Sequence, residues 1–110
     1  MTRTLVRSAR VRDDLIEIYT YLHTRSPIAA DRVLDAIEAA VRGLVTFPER
    51  GRLWSSDDLR LAGLRVLAVR RFPSYLVFFR PAPTQIAVYR IVHGAREIDR
   101  LLDDLDVDDG

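Results

Sequence analysis

The sequence contains no cysteine and no lysine, and it has only two histidines, His23 and His93. The lack of cysteine excludes disulfide bonds and thiolate ligands for metals. Because the two histidines lie far apart in the sequence, no structural zinc site is expected, and no cofactor is predicted. All 17 basic residues are arginines, whose guanidinium groups cannot act as general bases near neutral pH.

Long apolar runs are also absent, since no stretch of the sequence approaches the roughly 20 apolar residues that cross a membrane. The N-terminal stretch MTRTLVRSARVRDD is basic and lacks the apolar segment of a secretory signal. We therefore expect a cytoplasmic protein without a membrane partner. Its 110 residues, of which 48% are hydrophobic and 30% are charged, suit one domain that spans residues 1–110.

The charges are distributed unevenly along the chain, although the net formal charge is only +1. Residues 1–96 contain 16 arginines and 9 acidic residues, which gives a charge of +7. Residues 97–110 contain 7 acidic residues and one arginine, which gives −6. The sequence thus combines a basic body with an acidic tail at about residues 103–110, which we expect to fray.

The first half of the sequence predicts one strand followed by two helices. The stretch TRTLVR is typical of a short strand. From residue 11 to residue 22, apolar residues recur at helical spacing and predict an amphipathic helix. Ser26 and Pro27 suit the N-cap and first position of a second helix, which should end near Phe47 because Pro48 follows. Two such helices joined by a few residues predict an antiparallel hairpin.

Three carboxylates, Asp13, Asp14 and Glu17, lie early in the first predicted helix. Paired carboxylates can perform general acid–base catalysis, but carboxylates near a helix N-terminus also interact favourably with the helix dipole. We interpret this group as helix-end electrostatics and solvation rather than as a catalytic site.

The second half of the sequence predicts an antiparallel meander. Strand-like runs cover residues 64–72, 74–79 and 84–92, and the links between them are short, the first being centred on Pro73. Both faces of the meander are apolar, and the helix hairpin can cover only one. The stretch AREIDRLLDDL predicts a short C-terminal helix for part of the other face, and a protein partner is a candidate for the rest. The predicted fold is α+β: an N-terminal strand, an α-helical hairpin, a three-stranded antiparallel meander and a short C-terminal helix.

Four stretches in this order resemble the RelE/ParE superfamily of small bacterial toxins, and most closely its ParE branch. They are ARVRDDLIEIYTYL, FPERG, GLRVLAVRRFPSYLVFFR and IAVYRIVHGARE, and together they extend over nearly the whole chain. The resemblance implies the toxin of a type II toxin–antitoxin system. It also implies a hetero-oligomer with a cognate antitoxin that covers apolar and basic surface, and it allows a toxin dimer.

The superfamily has two activities, and the resemblance favours one of them. RelE-like members cleave messenger RNA on the ribosome with basic side chains on the sheet, whereas ParE-like members are reported to poison DNA gyrase. RNA-cleaving members carry an arginine in a YRLVY-like pattern, and here Tyr75 stands at that position in SYLVF. The preceding strand offers only Arg65 before Arg70 and Arg71. We therefore expect a non-enzymatic gyrase inhibitor without sequence-specific nucleic-acid binding. The alternatives are a RelE-like ribonuclease and a non-toxic interaction module.

Candidate site residues follow from these hypotheses. An arginine cluster suits phosphate or carboxylate recognition, although any single arginine is more simply a solvated surface charge. Trp54, in the connection at residues 48–62, is an anchor for that connection or a partner contact. His93 lies at a predicted strand-to-helix corner, where a structural role is favoured over acid–base chemistry. The candidates for target or antitoxin contact are Arg65, Arg70, Arg71, Arg90, Arg96 and Trp54. The nuclease alternative would use Arg65, Arg71, Tyr75 and His93.

Overall fold

A computed structural model of the chain describes residues 3–55 and 57–94. It confirms an α+β fold in which one strand precedes two helices and a strand meander follows. The predicted C-terminal helix, the acidic tail and Arg96 lie outside the described residues. The elements are β1 (Thr4–Arg7), α1 (Ala9–His23), α2 (Pro27–Thr46), β2 (Arg52–Leu53), a 3-10 turn (Leu59–Leu61), β3 (Arg65–Val69), β4 (Phe72–Pro81) and β5 (Gln85–His93).

The five strands form one sheet in the order β1-β5-β4-β3-β2. β1 pairs with β5 in parallel, and the other neighbouring strands are antiparallel. The short strand β2 was not predicted, because two residues are too few for alternation to be visible in the sequence. β2 pairs with the start of β3 and places part of the predicted irregular connection at the sheet edge.

The two helices pack against one face of the sheet, as the sequence predicts. The Ser26 hydroxyl accepts a hydrogen bond from the backbone N–H of Ala29, and Pro27 begins α2, which ends at Thr46. Helix and sheet residues then share one buried cluster. It consists of Val11, Ile18, Val33, Ile37, Val41 and Leu44 from the helices and Val69, Tyr75, Val77, Phe79, Ile86, Val88 and Ile91 from the sheet.

The opposite face of the sheet carries a second buried cluster, which confirms that both faces are apolar. Trp54 packs edge-on against Phe78, with ring centroids 5.7 Å apart, and Leu61 of the 3-10 turn is buried beside it. The connection between α2 and β3 therefore covers part of this face. From the sequence, only the last helix or a protein partner was expected to cover it. The cluster contains Leu61, Leu64, Val66, Phe78, Ala87, Tyr89 and Val92.

The turn between β3 and β4 lies two residues earlier than the sequence predicts. Val69 pairs with Phe72, so the turn consists of Arg70 and Arg71, and Pro73 lies inside β4. The register then jumps to a pair between Ala68 and Leu76, which leaves residues 73–75 without partners in β3. Proline lacks a backbone donor and is tolerated in such a bulge. The predicted turn at Pro73 was therefore wrong.

A second irregularity changes which residues of β5 face the helices. Phe78 pairs with Arg90 and Phe79 pairs with Val88, so Tyr89 is an extra residue in β5. Strict alternation would place Ile91 on the same face as Tyr89, but Ile91 belongs to the cluster under the helices. A single inserted residue thus reverses the facing of the end of this strand.

Candidate functional site

A buried ion pair joins α1 to β5. The guanidinium of Arg90 donates two hydrogen bonds of 2.8 Å to the carboxylate of Asp14, and each side chain is only 7% exposed. Asp14 also accepts the backbone N–H of Ile91 at 3.0 Å. Because the pairing of β1 with β5 ends at Val88, this carboxylate bonds to β5 beyond the last residue of β1. Asp14 is therefore a buried residue that links α1 to the sheet through hydrogen bonds.

This ion pair corrects the interpretation of the carboxylates in the first helix and locates one candidate arginine. Asp14 is not a solvated helix-end charge, and Arg90 lies in the interior rather than on an exposed arginine surface. The sequence contained one usable signal, since Asp14 falls at helical spacing between the core residues Val11 and Ile18. The partner, 76 residues further along the chain, had no such signal.

Arg65 binds the turn that follows α2. Its guanidinium donates to the carbonyl oxygens of Glu49, Arg50 and Gly51 at 2.8, 3.3 and 3.3 Å. Gly51 has a φ of +76°, and a Cβ built there would lie 2.2 Å from the carbonyl oxygen of Val66. The stretch FPERG thus forms a tight turn that β3 holds in place, and the hydrogen-bonding capacity of Arg65 is largely used within the fold.

Tyr75 and His93 are in contact at the end of the β4–β5 pair. Their rings meet edge to face, with centroids 5.0 Å apart and planes at 89°. Tyr75 is buried, His93 is half-buried, and the N–H of Gly94 donates to the carbonyl of Ser74. The structure therefore places His93 where a strand ends against an aromatic ring.

The four residues of the nuclease alternative do not form one cluster. Arg65 pairs with Phe79, four positions along β4 from Tyr75, which corresponds to about 13 Å along a strand. Arg71 lies in the β3–β4 turn, at the end of the sheet where Tyr75 and His93 meet. Of the four residues, the structure brings only Tyr75 and His93 into ring contact.

The β3–β4 turn exposes two consecutive arginines. Arg70 and Arg71 are exposed, and neither forms a hydrogen bond or an ion pair with a residue in the described ranges. Residues 59–94 contain six arginines and no aspartate or glutamate. Trp54, in contrast, is half-buried and packed on Phe78, which agrees with its interpretation as an anchor.

An apolar groove of about 470 Å³ lies where β1 meets α1, and the sequence analysis did not identify it. Ile16 borders this groove and is 54% exposed, and Val6 on the neighbouring edge strand is 42% exposed. At the same end, Arg7 donates two hydrogen bonds of 2.8 Å to Glu38. These bonds lower the pKa of Glu38 and raise the pKa of Arg7. The groove is lined by Arg7, Ser8, Ala9, Val11, Arg12, Leu15 and Ile16.

Neither a metal site nor a membrane span is found within residues 3–55 and 57–94. Those residues contain no group of three histidine, aspartate or glutamate side chains that could hold a metal ion. No helix among them is long and apolar enough to cross a membrane.

Comparisons with known proteins agree with this architecture. A family model described as the ParE toxin of the type II toxin–antitoxin system parDE matches residues 5–98. Toxin RelE2 of Caulobacter vibrioides is 36% identical over 87 residues, which make up 79% of this chain and 90% of that protein. A solved structure described as the chromosomal ParDE TA system from P. aeruginosa has a TM-score of 0.66. Its sequence is 24% identical, and the match covers 84% of this chain and 96% of that chain, so it supports the fold.

Proposed function

Because the chain belongs to the ParE toxin family of type II toxin–antitoxin systems, we propose that it inhibits DNA gyrase in the cytoplasm. In this proposal the toxin acts by binding gyrase and blocking its reaction cycle rather than by catalysing a reaction. A cognate antitoxin neutralises it in a hetero-oligomer. Among the candidate contact residues, Arg70 and Arg71 are the ones we assign to the target.

The position of Arg65 is the observation that carries this proposal. A ribonuclease needs basic side chains that are free to stabilise the charge on a phosphate in the transition state. Arg65 is the basic residue that the nuclease alternative places on β3, and its guanidinium donates to three backbone carbonyls. It also lies about 13 Å along the sheet from Tyr75, and its guanidinium is bound to the turn after α2.

Ribosome-dependent cleavage of messenger RNA is the second candidate, and two observations favour it. The Caulobacter relative carries the name Toxin RelE2. In addition, Tyr75 and His93 are in contact at the end of the sheet that holds Arg71, so an acid–base group and a guanidinium lie at one end of the sheet. His93 is the residue that would transfer the proton in this alternative.

The groove between β1 and α1 supports an antitoxin partner. Its wall is largely apolar, and Ile16 exposes more than half of its surface there. Arg12, on the same wall, forms no hydrogen bond or ion pair with another described residue. An apolar groove with a basic margin suits an antitoxin segment that carries both apolar and acidic side chains.

Expression without antitoxin tests the proposed function in cells. The proposal predicts loss of negative supercoiling in a reporter plasmid, DNA damage and filamentous growth, while messages stay intact at first. Rapid arrest of protein synthesis with cut messages, before any change in plasmid topology, would instead favour the ribonuclease. Co-expression of the antitoxin encoded beside the toxin should suppress either phenotype and serves as the control.

A further inference from the structure

Arg71 occupies a backbone conformation that normally belongs to glycine. Its φ is +77°, and it is the only residue other than glycine with a positive φ among the described residues. It is the second of the two central residues of the β3–β4 turn, where a positive φ is the mark of a type II turn and glycine is preferred. A side chain at this position costs conformational energy that glycine would not.

No contact within the described structure compensates for this cost. Several of the described arginines contribute to the fold: Arg90 binds Asp14, Arg65 binds three carbonyls, and Arg7 binds Glu38. Arg70 and Arg71 are exposed, and neither has a hydrogen bond or an ion pair within residues 3–55 and 57–94. Within those residues, the energetic cost at Arg71 is therefore not offset by a hydrogen bond or an ion pair, and a strained residue of this kind is a candidate for a functional contact.

The surroundings of the turn favour a phosphate ligand over a protein surface. No acidic residue occurs between residues 59 and 94, so the two strands that flank the turn, β3 and β4, carry no negative side chain. Among residues 3–55 and 57–94, the large apolar side chains that are exposed lie elsewhere, at Val6, Ile16, Tyr19, Tyr21, Ile28, Phe47, Leu53 and Leu59. Protein interfaces depend on buried aromatic or apolar anchors, whereas a nucleic-acid backbone is bound chiefly by charge.

We propose that the Arg70–Arg71 turn contacts the phosphodiester backbone of a nucleic acid. Guanidinium groups form paired hydrogen bonds with phosphate oxygens, and two adjacent arginines at a projecting turn can engage the backbone independently of sequence. The identification of this nucleic acid as the DNA held by gyrase rests on the proposed function. The contact itself does not depend on that function and is tested separately.

Fluorescence anisotropy with a mixed-sequence DNA duplex tests the contact, with single-stranded RNA as a second probe. The variants are Arg71→Gly and Arg70→Gln, and the control is Arg32→Gln, which removes an exposed arginine from α2. We expect Arg71→Gly to weaken duplex binding several-fold and to reduce the slope of log affinity against log salt by about 1. Its Tm should rise by a few degrees, because glycine relieves the strain. The control should change binding less than either turn variant.

Equal binding by Arg71→Gly and Arg32→Gln would overturn the proposal, as would a lower Tm for Arg71→Gly. Poly-L-glutamate provides a further control, since an equal loss of binding to it would assign the turn to an acidic protein. If Arg71→Gly loses binding to RNA but not to duplex DNA, the turn still contacts phosphate, but its ligand is not the DNA held by gyrase.

If the wild-type protein fails to inhibit gyrase while Arg71→Gly still loses DNA binding, the proposed function fails and this inference stands. If the wild-type protein inhibits gyrase but Arg71→Gly binds DNA as tightly as the Arg32→Gln control, the proposed function stands and the phosphate contact at the turn is refuted.

Discussion

At the scale of single residues, the arginines of this protein divide into those that hold the fold and those that face solvent. Arg65 and Arg90 belong to the first group, and Arg70 and Arg71 belong to the second. Composition does not distinguish them, because the long side chain of arginine reaches either a carboxylate in the core or a ligand outside. The two groups can be distinguished only from the three-dimensional positions of possible partners, such as Asp14.

The ion pair between Asp14 and Arg90 should be a main determinant of stability. Asp14→Ala leaves a guanidinium buried without its carboxylate, so we expect a loss of about 3–5 kcal/mol in the free energy of unfolding. Urea denaturation measures this loss. Asp13→Asn, at an exposed neighbouring position, should change stability by no more than about 0.5 kcal/mol.

A double substitution separates the ion pair from simple loss of packing. Asp14→Leu with Arg90→Met replaces both charges by apolar groups and should recover much of the stability that Asp14→Ala loses. A cost below about 1 kcal/mol for Asp14→Ala would contradict a buried pair, since it would mean that water reaches the site.

Gly51 and Gly63 provide a matched pair of glycines with positive φ. A Cβ on Gly51 would collide with the carbonyl oxygen of Val66 at 2.2 Å, whereas on Gly63 the nearest heavy atom is in the side chain of Arg80, at 3.8 Å. Gly63→Ala should therefore cost about 1–2 kcal/mol for its backbone conformation alone. Gly51→Ala should cost at least about 3 kcal/mol, because β2 must also move away from β3. Equal Tm values for the two variants would contradict the close approach of Gly51 to Val66 of β3.

At the scale of elements, the hydrophobic pattern was sufficient to locate both helices and the three long strands. Helical and strand periods differ strongly over a dozen residues, and Ser26–Pro27 mark a helix start without tertiary information. Irregularities within strands were not predictable in this way. The extra residue Tyr89 in β5 and the unpaired residues 73–75 in β4 depend on cross-strand register, which the local sequence does not encode. For the same reason the stretch AVRRF was predicted as continuous strand.

The junction between β1 and α2 should make a small contribution to stability that depends on pH. The hydrogen bonds from Arg7 hold the pKa of Glu38 below its ordinary value of 4.5 in the folded protein. The contribution is therefore complete above that value and is lost as the pH falls through the folded pKa. Because the pair is partly exposed, we expect Glu38→Gln to cost only about 0.2–1 kcal/mol near pH 7.

Thermal unfolding of the wild type and of Glu38→Gln between pH 3 and pH 8 tests this dependence. The difference in Tm should be constant from pH 6 to pH 8 and should shrink below about pH 4.5. Asp35→Asn, exposed on the same helix, is the control, since Asp35 forms no hydrogen bond with another described residue. A difference between wild type and Glu38→Gln that persists at pH 3 would show that the pair is not the cause.

At the scale of the whole molecule, the two faces of the sheet are covered by different parts of the chain. Helices bury one face, and the connection that carries Trp54 buries part of the other. The sequence predicted both apolar faces correctly, because alternation along each strand reveals them. It could not show that a segment without regular periodicity folds back over the sheet, or that the β1–α1 junction leaves an apolar groove.

The candidate site was less predictable than the fold. The sequence could name the arginines, but the relation of Arg65 to Tyr75 depends on strand register, and the exposure of Arg71 depends on where the turn falls. In the structure, Arg65 donates hydrogen bonds to backbone carbonyls, whereas Arg70 and Arg71 are exposed. That arrangement favours a toxin that binds a target over one that cleaves RNA.

Supercoiling of relaxed plasmid by purified gyrase, titrated with toxin freed of antitoxin, tests the proposed inhibition of gyrase most directly. Relaxation of the same plasmid by a type I topoisomerase is the control for nonspecific effects on DNA. We expect dose-dependent loss of gyrase supercoiling, with gyrase-cleaved DNA accumulating, and no effect on the control enzyme. Unimpaired gyrase in the presence of folded toxin, together with cleavage of messenger RNA on programmed ribosomes by the same preparation, would contradict the account.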